Sequence, residues 1–118
     1  MAFQSFEDLE VWKRGCTLAV YVYECLSESR DFGLRDQMQR AAVSIPSNIA
    51  EGYERSDKDF CRFLTIAKGS AAELRTQAYI ASKTSLITSD QMKHIVDETK
   101  QLSRMLQSLS NSRKKKSP

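Results

Sequence analysis

The side chains that could do chemistry gather in RAAVSIPSNIAEGYER at residues 40–55, with a second group in AKGSAAEL at 67–74. Ser44 and Ser47 are potential nucleophiles, and a nucleophilic serine needs a general base beside it. The chain has one histidine, His94, far along the sequence with no acid or serine at a useful spacing. It reads as an exposed helix residue rather than as a base or a metal ligand. The three cysteines, Cys16, Cys25 and Cys61, show no CxxC spacing, so they read as reduced, buried thiols and not as a zinc or disulfide framework.

Glu51-x-x-Glu54 puts two carboxylates on one helix face, as in helical enzymes that hold magnesium against a nucleotide. Such sites need a second acidic pair on a facing helix. Here Glu73 is followed at the matching offset by Thr76, so the set is incomplete. No Walker loop and no Rossmann glycine pattern occur, and Gly69-Ser70 alone is too short for a phosphate cradle. The residues therefore call for no catalytic site, no cofactor and no metal.

What remains is a structural reading. Pro46 lacks an amide proton and crowds the carbonyl of Ala42, so a kink or loosening is expected near residues 42–46, with Ser44 and Ser47 satisfying the freed backbone groups. Asn48 and Glu51 flank the apolar line through Ile45 and Ile49. Turned inward they require partners, and Arg40, Ser70 and Glu73 are the candidates. The small residues Gly69 to Ala72 allow close approach, so a polar cross-link fixing the register of two helices is expected.

The elements that would hold these residues are four helices. Ser5, with Asp8 three residues on, opens the first at about 6–29, with Phe6, Leu9, Trp12, Cys16, Val20, Tyr23 and Leu26 recurring at steps of three and four. Asp31-Phe32-Gly33 is a turn. The second helix, about 34–54, carries Leu34, Met38, Ala41, Ile45, Ile49 and Gly52. Ser56 caps a third at about 57–86, with Asp57 and Asp59 in its first turn. Thr88 or Ser89 caps a fourth at about 90–110. Short loops between long helices predict an antiparallel up-down-up-down bundle over residues 1–111, followed by a disordered basic tail at 112–118.

The first helix has a second apolar stripe, Val11, Leu18, Val22 and Cys25 with Tyr21 nearby. Isolated surface hydrophobes are common. LAVYVYECL is nearly continuous, however, and this stripe is expected in a homo-oligomer interface.

Charge adds one more expectation. The formal charge is +3, yet four of the 18 basic residues are Arg113, Lys114, Lys115 and Lys116, leaving 14 against 15 acidic ones elsewhere. Any nucleic-acid contact is thus placed in this tail, helped by Lys13, Arg14, Arg62, Lys68 and Arg75 if they face outward. No apolar run approaches the ~20 residues of a membrane span, and no signal peptide opens the chain. A cytoplasmic protein is expected, without a membrane partner.

FEDLEVWKRG at 6–15, GLRDQMQRAAVSIPSNIAEGYER at 33–55 and FLTIAKGSAAELRTQ at 63–77 resemble the four-helix-bundle proteins of 23S rRNA intervening sequences, which carry a ribosomal-protein-like label. They are also similar to accessory variability proteins of diversity-generating retroelements. The resemblance spans about residues 5–110. It implies a ring-like homo-oligomer, a homopentamer in known members, and for the retroelement proteins a basic barrel that binds nucleic acid and a reverse transcriptase. The near-neutral body departs from that basic pattern. The resemblance also implies that Gln37, Arg40, Ser44, Asn48, Glu51, Gly52 and Glu73 are structural. The functional expectation is a non-enzymatic, oligomeric, nucleic-acid-binding accessory protein. The alternative is a protein-interaction scaffold.

Overall fold

A computed structural model describes residues 5–116, with Lys116 described by its backbone alone. It is all-α: a short 3-10 turn, Phe6–Asp8, precedes α1 (Glu10–Cys25), α2 (Phe32–Tyr53), α3 (Asp57–Lys83) and α4 (Ser89–Lys116), and no strand occurs among the described residues. α1 packs on α2 and α4, and α3 packs on the same two, so the helices surround one core in chain order. The molecule measures 49 × 23 × 19 Å. That is two helix diameters of about 10 Å each way, and a length close to the ~42 Å of a 28-residue helix.

Local chemistry sets the ends. The Ser5 amide donates to Asp8 Oδ2 at 3.2 Å, closing the first turn. Leu9 then takes an extended conformation (φ −75°, ψ 125°), so α1 starts afresh at Glu10 instead of running on from residue 6. Asp31 caps α2 by accepting from the Leu34 amide at 3.1 Å. Ser56 caps α3 through the Asp59 amide at 3.3 Å. Thr88 and Gln91 form a reciprocal pair over the start of α4, each side chain bonded to the other's backbone amide at 3.0 and 2.9 Å.

α3 stops at Lys83, three residues short of the expected end, because Ser85 turns into the left-handed region (φ 65°) and the Leu86 amide reaches back to the Ala81 carbonyl at 2.8 Å. α4 departs in the other direction. It continues through Lys116, where the sequence pattern predicts a disordered tail from 112; Ser117 and Pro118 lie outside the described residues. Arg113 supplies the reason for the extension, as described below.

The core stripes of α2, α3 and α4 fall where the periodicity puts them, with Ile45, Ile49, Leu64, Leu74, Ile95, Leu102 and Leu106 fully buried. α1 is the correction. Its inward line is Val11, Gly15, Leu18, Val22 and Leu26, all buried, so the stripe expected in an oligomer interface belongs to the chain's own core; Tyr21 and Cys25 sit half-buried at its edge. Of the line expected inside, Leu9 and Leu26 are buried and Phe6, Trp12 and Cys16 half-buried, while Val20 and Tyr23 turn outward, 60% and 48% exposed. Gly15 explains the misreading. It occupies a core position without an apolar side chain, so the true stripe looks interrupted in the sequence.

Two glycines lie where α2 is gripped from both sides. A Cβ on Gly15 would stand at ordinary contact distance, 3.4 Å, from Pro46 Cδ, so the buried proline ring packs beside α1 there and a small side chain would also fit. α2 stays helical through Pro46. On the other side a Cβ on Gly52 would stand 2.6 Å from Phe63 Cβ and 3.1 Å from Phe60 Cδ1. Gly52→Ala is therefore expected to lower stability by about 1–3 kcal/mol, read as a lower denaturation midpoint at an unchanged m-value. No loss would mean that the α2–α3 contact yields freely.

Candidate functional site

Two polar features stand out: a seam between α2 and α3, and a charged line on α4. In the seam, Ser44 and Ser70 share a hydroxyl–hydroxyl bond of 2.7 Å across the two helices. Asn48 Nδ2 donates to the Ser44 carbonyl at 2.8 Å and to Ser44 Oγ at 2.9 Å. The cross-link is thus built from Ser44, Asn48 and Ser70, all half-buried. Neither Ser44 nor the exposed Ser47 is seen bonding to the Ala42 carbonyl that Pro46 leaves open.

The rest of the expected polar core is not core. Gln37, Arg40, Glu51 and Glu73 are all exposed, because each lies one helical step outside the packed line. Glu51 pairs with Arg55 at 3.4 Å on the surface. Gln37, Arg40 and Glu73 do come together, along an open cleft of about 590 Å³ between α2 and α3 that also includes Thr76, Gln77 and Ile80. Sequence reasoning missed Gln77. It is 7% exposed, its Nε2 reaches Glu73 Oε1 at 3.5 Å, and its buried Oε1 has no partner. Its place between Leu74 and Ala78 on the core stripe was the available signal.

The charged line runs along α4. Lys93, Asp97, Lys100, Arg104, Ser108, Asn111 and Lys115 are all exposed and recur at steps of three and four, so they share one face. From Lys93 to Lys115 it extends about 33 Å at 1.5 Å per residue, with four cations against one carboxylate. Lys114 lies exposed beside it. Sequence reading missed this line because it summed charge over the whole body instead of along a helix face.

The other basic residues are largely committed. Arg14 holds Glu98 in a two-pronged pair, both bonds 2.9 Å, and adds a 2.7 Å bond to Gln101, clamping α1 to α4. Lys68 bonds Gln107, again across helices. Arg62 lies over the Phe63 ring at 4.6 Å. Arg113 pairs with Asp57 at 3.3 Å and lies over the Phe60 ring at 5.1 Å, fastening the end of α4 to the α2–α3 corner. Lys13 is exposed and Arg75 half-buried. Of the four tail residues, Lys114 and Lys115 face solvent, Arg113 is anchored, and the Lys116 side chain lies outside the described residues.

No reactive cluster accompanies these features. Among the described residues no three His, Cys, Asp or Glu side chains converge as metal ligands would. The three cysteines are free and half-buried. Burial pushes the Cys16 and Cys25 thiols above their ordinary range, which keeps them protonated and poorly nucleophilic at neutral pH. His94 is exposed, its ring 4.4 Å from that of Tyr21. Among the described residues no helix is long and apolar enough to cross a membrane.

Comparison with known proteins agrees with this architecture. A family model described as "23S rRNA-intervening sequence protein" matches residues 7–108, and the chain belongs to that family. A solved structure described as a protein of unknown function from the S23 ribosomal protein family, from Bacteroides thetaiotaomicron, is similar at 28% identity, over 85% of this chain and 97% of that one, with a TM-score of 0.79. No curated protein matches.

The seam and the orphan amide make opposite predictions. Asn48→Ala removes both bonds to Ser44 and is expected to cost about 1 kcal/mol. Gln77→Met removes a buried amide whose oxygen is unpaired and whose nitrogen makes only a long bond to Glu73, and is expected to raise stability by about 1 kcal/mol. Urea denaturation of each variant reads the sign. A destabilised Gln77→Met would mean that the amide oxygen is satisfied in solution.

Proposed function

We propose that this family member is a non-enzymatic, homo-oligomeric accessory protein that binds nucleic acid through the basic line on α4. The observation that carries the reading is the row Lys93, Lys100, Arg104 and Lys115 on one exposed face, with Asp97 the single acid among them. A rod-like row of cations is suited to a phosphate backbone rather than to base edges, because it presents charge at intervals along a line. Binding of this kind is strong at low salt and indifferent to sequence. Lys114 and Lys115 also stand near the C-terminal end of α4, where they favour the helix dipole whatever else they do.

The cross-helix pairs support an up-down-up-down course. Rising positions 44 and 52 on α2 meet falling positions 70 and 63 on α3, and Cys61, Lys68 and Asp57 meet Ser110, Gln107 and Arg113 on α4 in the same reversed sense. In a ring-like oligomer, with five copies as the resemblance implies, each copy adds one basic line. Linked weak sites then raise affinity by ~10²–10⁴ where the geometry lets them engage together. A cytoplasmic setting completes the reading. The second reading, a scaffold for protein partners, is favoured by the exposed apolar side chains Val20, Val43, Ile66 and Ile80.

Titration of structured RNA and duplex DNA at two salt concentrations separates the two. Lys100→Gln with Arg104→Gln is expected to weaken binding at every sequence and to flatten the salt dependence by about one unit per lysine or arginine removed. Lys114→Gln with Lys115→Gln tests the tail without cutting the chain, which would break the Arg113–Asp57 anchor. Binding absent even at low salt would sink the nucleic-acid reading and leave the scaffold.

A further inference from the structure

The cleft between α2 and α3 holds groups that the bundle itself does not use. Gln77 is the buried residue among those that line it, 7% exposed, with Oε1 unpaired and Nε2 only within 3.5 Å of Glu73. A buried amide oxygen without a donor costs stability. Its buried neighbours on α3, Leu74 and Ala78, are apolar, so the packing does not ask for an amide there. Arg40 and Glu73 border the same cleft from its two helices. Arg40 lies one turn before Ser44, and Glu73 three residues after Ser70, the partner of Ser44 across the seam. Among the described residues neither Arg40 nor Glu73 takes part in an ion pair. A guanidinium, a carboxylate and an orphan amide oxygen thus stand uncommitted around one space of about 590 Å³.

Their chemistry limits what can enter. Glu73, Thr76 and Gln77 stand at i, i+3 and i+4, on one face of α3. Thr76 Oγ1 gives its proton to the Ala72 carbonyl at 2.9 Å, which leaves the hydroxyl oxygen free to accept. The α3 wall therefore offers three acceptors, one of them charged, and the α2 wall offers the donors of Arg40. A primary ammonium carries three N–H donors and one positive charge. A carboxylate meets a guanidinium with two parallel bonds. A polyanion would face Glu73 without a counter-charge, and a polyamine would face Arg40 in the same way. A divalent cation needs more oxygen ligands than one carboxylate and its neighbours supply. Ile80, 48% exposed, makes the apolar end of the cleft.

We infer that this cleft binds a free α-amino acid with an aliphatic side chain. Glu73, Thr76 and Gln77 accept from its ammonium, Arg40 holds its carboxylate, and its side chain lies toward Ile80. The terminal torsion of a glutamine is broad, so a modest turn of the Gln77 amide exchanges the long contact with Glu73 for a bond from the ligand. Occupation relieves the orphan oxygen and ties α2 to α3 one turn beyond the Ser44–Ser70 bond. The site is separate from the α4 line and needs neither nucleic acid nor a second copy.

Amide-resolved NMR titration of the full chain with L-leucine tests it. N-acetyl-leucine, which lacks the ammonium, and leucinamide, which lacks the carboxylate, are the comparison probes. Leucine should shift amides on both walls of the cleft saturably, raise the melting temperature, and bind at least tenfold more tightly than either probe. Glu73→Gln and Arg40→Gln change exposed side chains, so both should fold as the wild type does and weaken leucine at least tenfold. Gln77→Met supplies the readout that a purely structural role would not move. Its free form should melt higher than the wild type, while leucine binds at least tenfold more weakly and no longer raises the melting temperature. No saturable shift up to ~10 mM leucine, or undiminished affinity in Glu73→Gln or Gln77→Met, would overturn the site. Leucinamide bound as tightly as leucine would overturn the part given to Arg40 and, with it, the free amino acid.

Discussion

The structure depends on how closely α2 is approached from both sides. α1 packs on it beside Gly15 and Pro46, and α3 reaches it more closely at Gly52, where Phe60 and Phe63 fill the space a side chain would take. The proline costs α2 a backbone hydrogen bond and the glycines cost helix propensity. Those losses are tolerable only because the close contacts return dispersion and burial over a core in which Ile45, Ile49 and Leu64 are fully covered. The Ser44–Ser70 bond follows from the same proximity, since two short hydroxyl side chains can meet at 2.7 Å only if their backbones are near.

This constraint also decides what the sequence could and could not reveal. On α2, α3 and α4 the inward residues are large and apolar at helical spacing, so their faces are legible from period alone. On α1 the inward line includes a glycine, while Val20 and Tyr23 face outward. Size then points the wrong way. Asn48 and Ser70 could be placed in a cross-link from the sequence, whereas Ser44, expected to serve the backbone opened by Pro46, is the residue that bridges to Ser70. Gln37, Arg40, Glu51 and Glu73 could not be separated from them, since one helical step of about 100° carries a side chain from the seam to solvent.

Electrostatics sorts into two populations with different work. Arg14 and Arg113 hold helices together through Glu98 and Asp57, and their planar guanidinium groups suit two-pronged or ring-stacked contacts. The α4 line is different in kind, built mostly of lysines without a carboxylate bound to them. The expectation of a free basic tail fails for Arg113 for the same reason that α4 is long. Its pairing with Asp57 and its position over Phe60 tie the last turns to the bundle, so the helix persists where composition alone suggests disorder.

Several of the polar groups that the sequence offers for chemistry have structural partners instead. Of the serines at the proline, Ser44 is spent on Ser70 and Asn48, while Ser47 is exposed. Two thiols are held protonated by burial, and the histidine lies against a tyrosine. What is left unspent is on the outside: a basic line on α4, an apolar groove between α1 and α2 and a charge-poor face on α3. Surfaces of these three kinds, on different helices, can all be occupied at once.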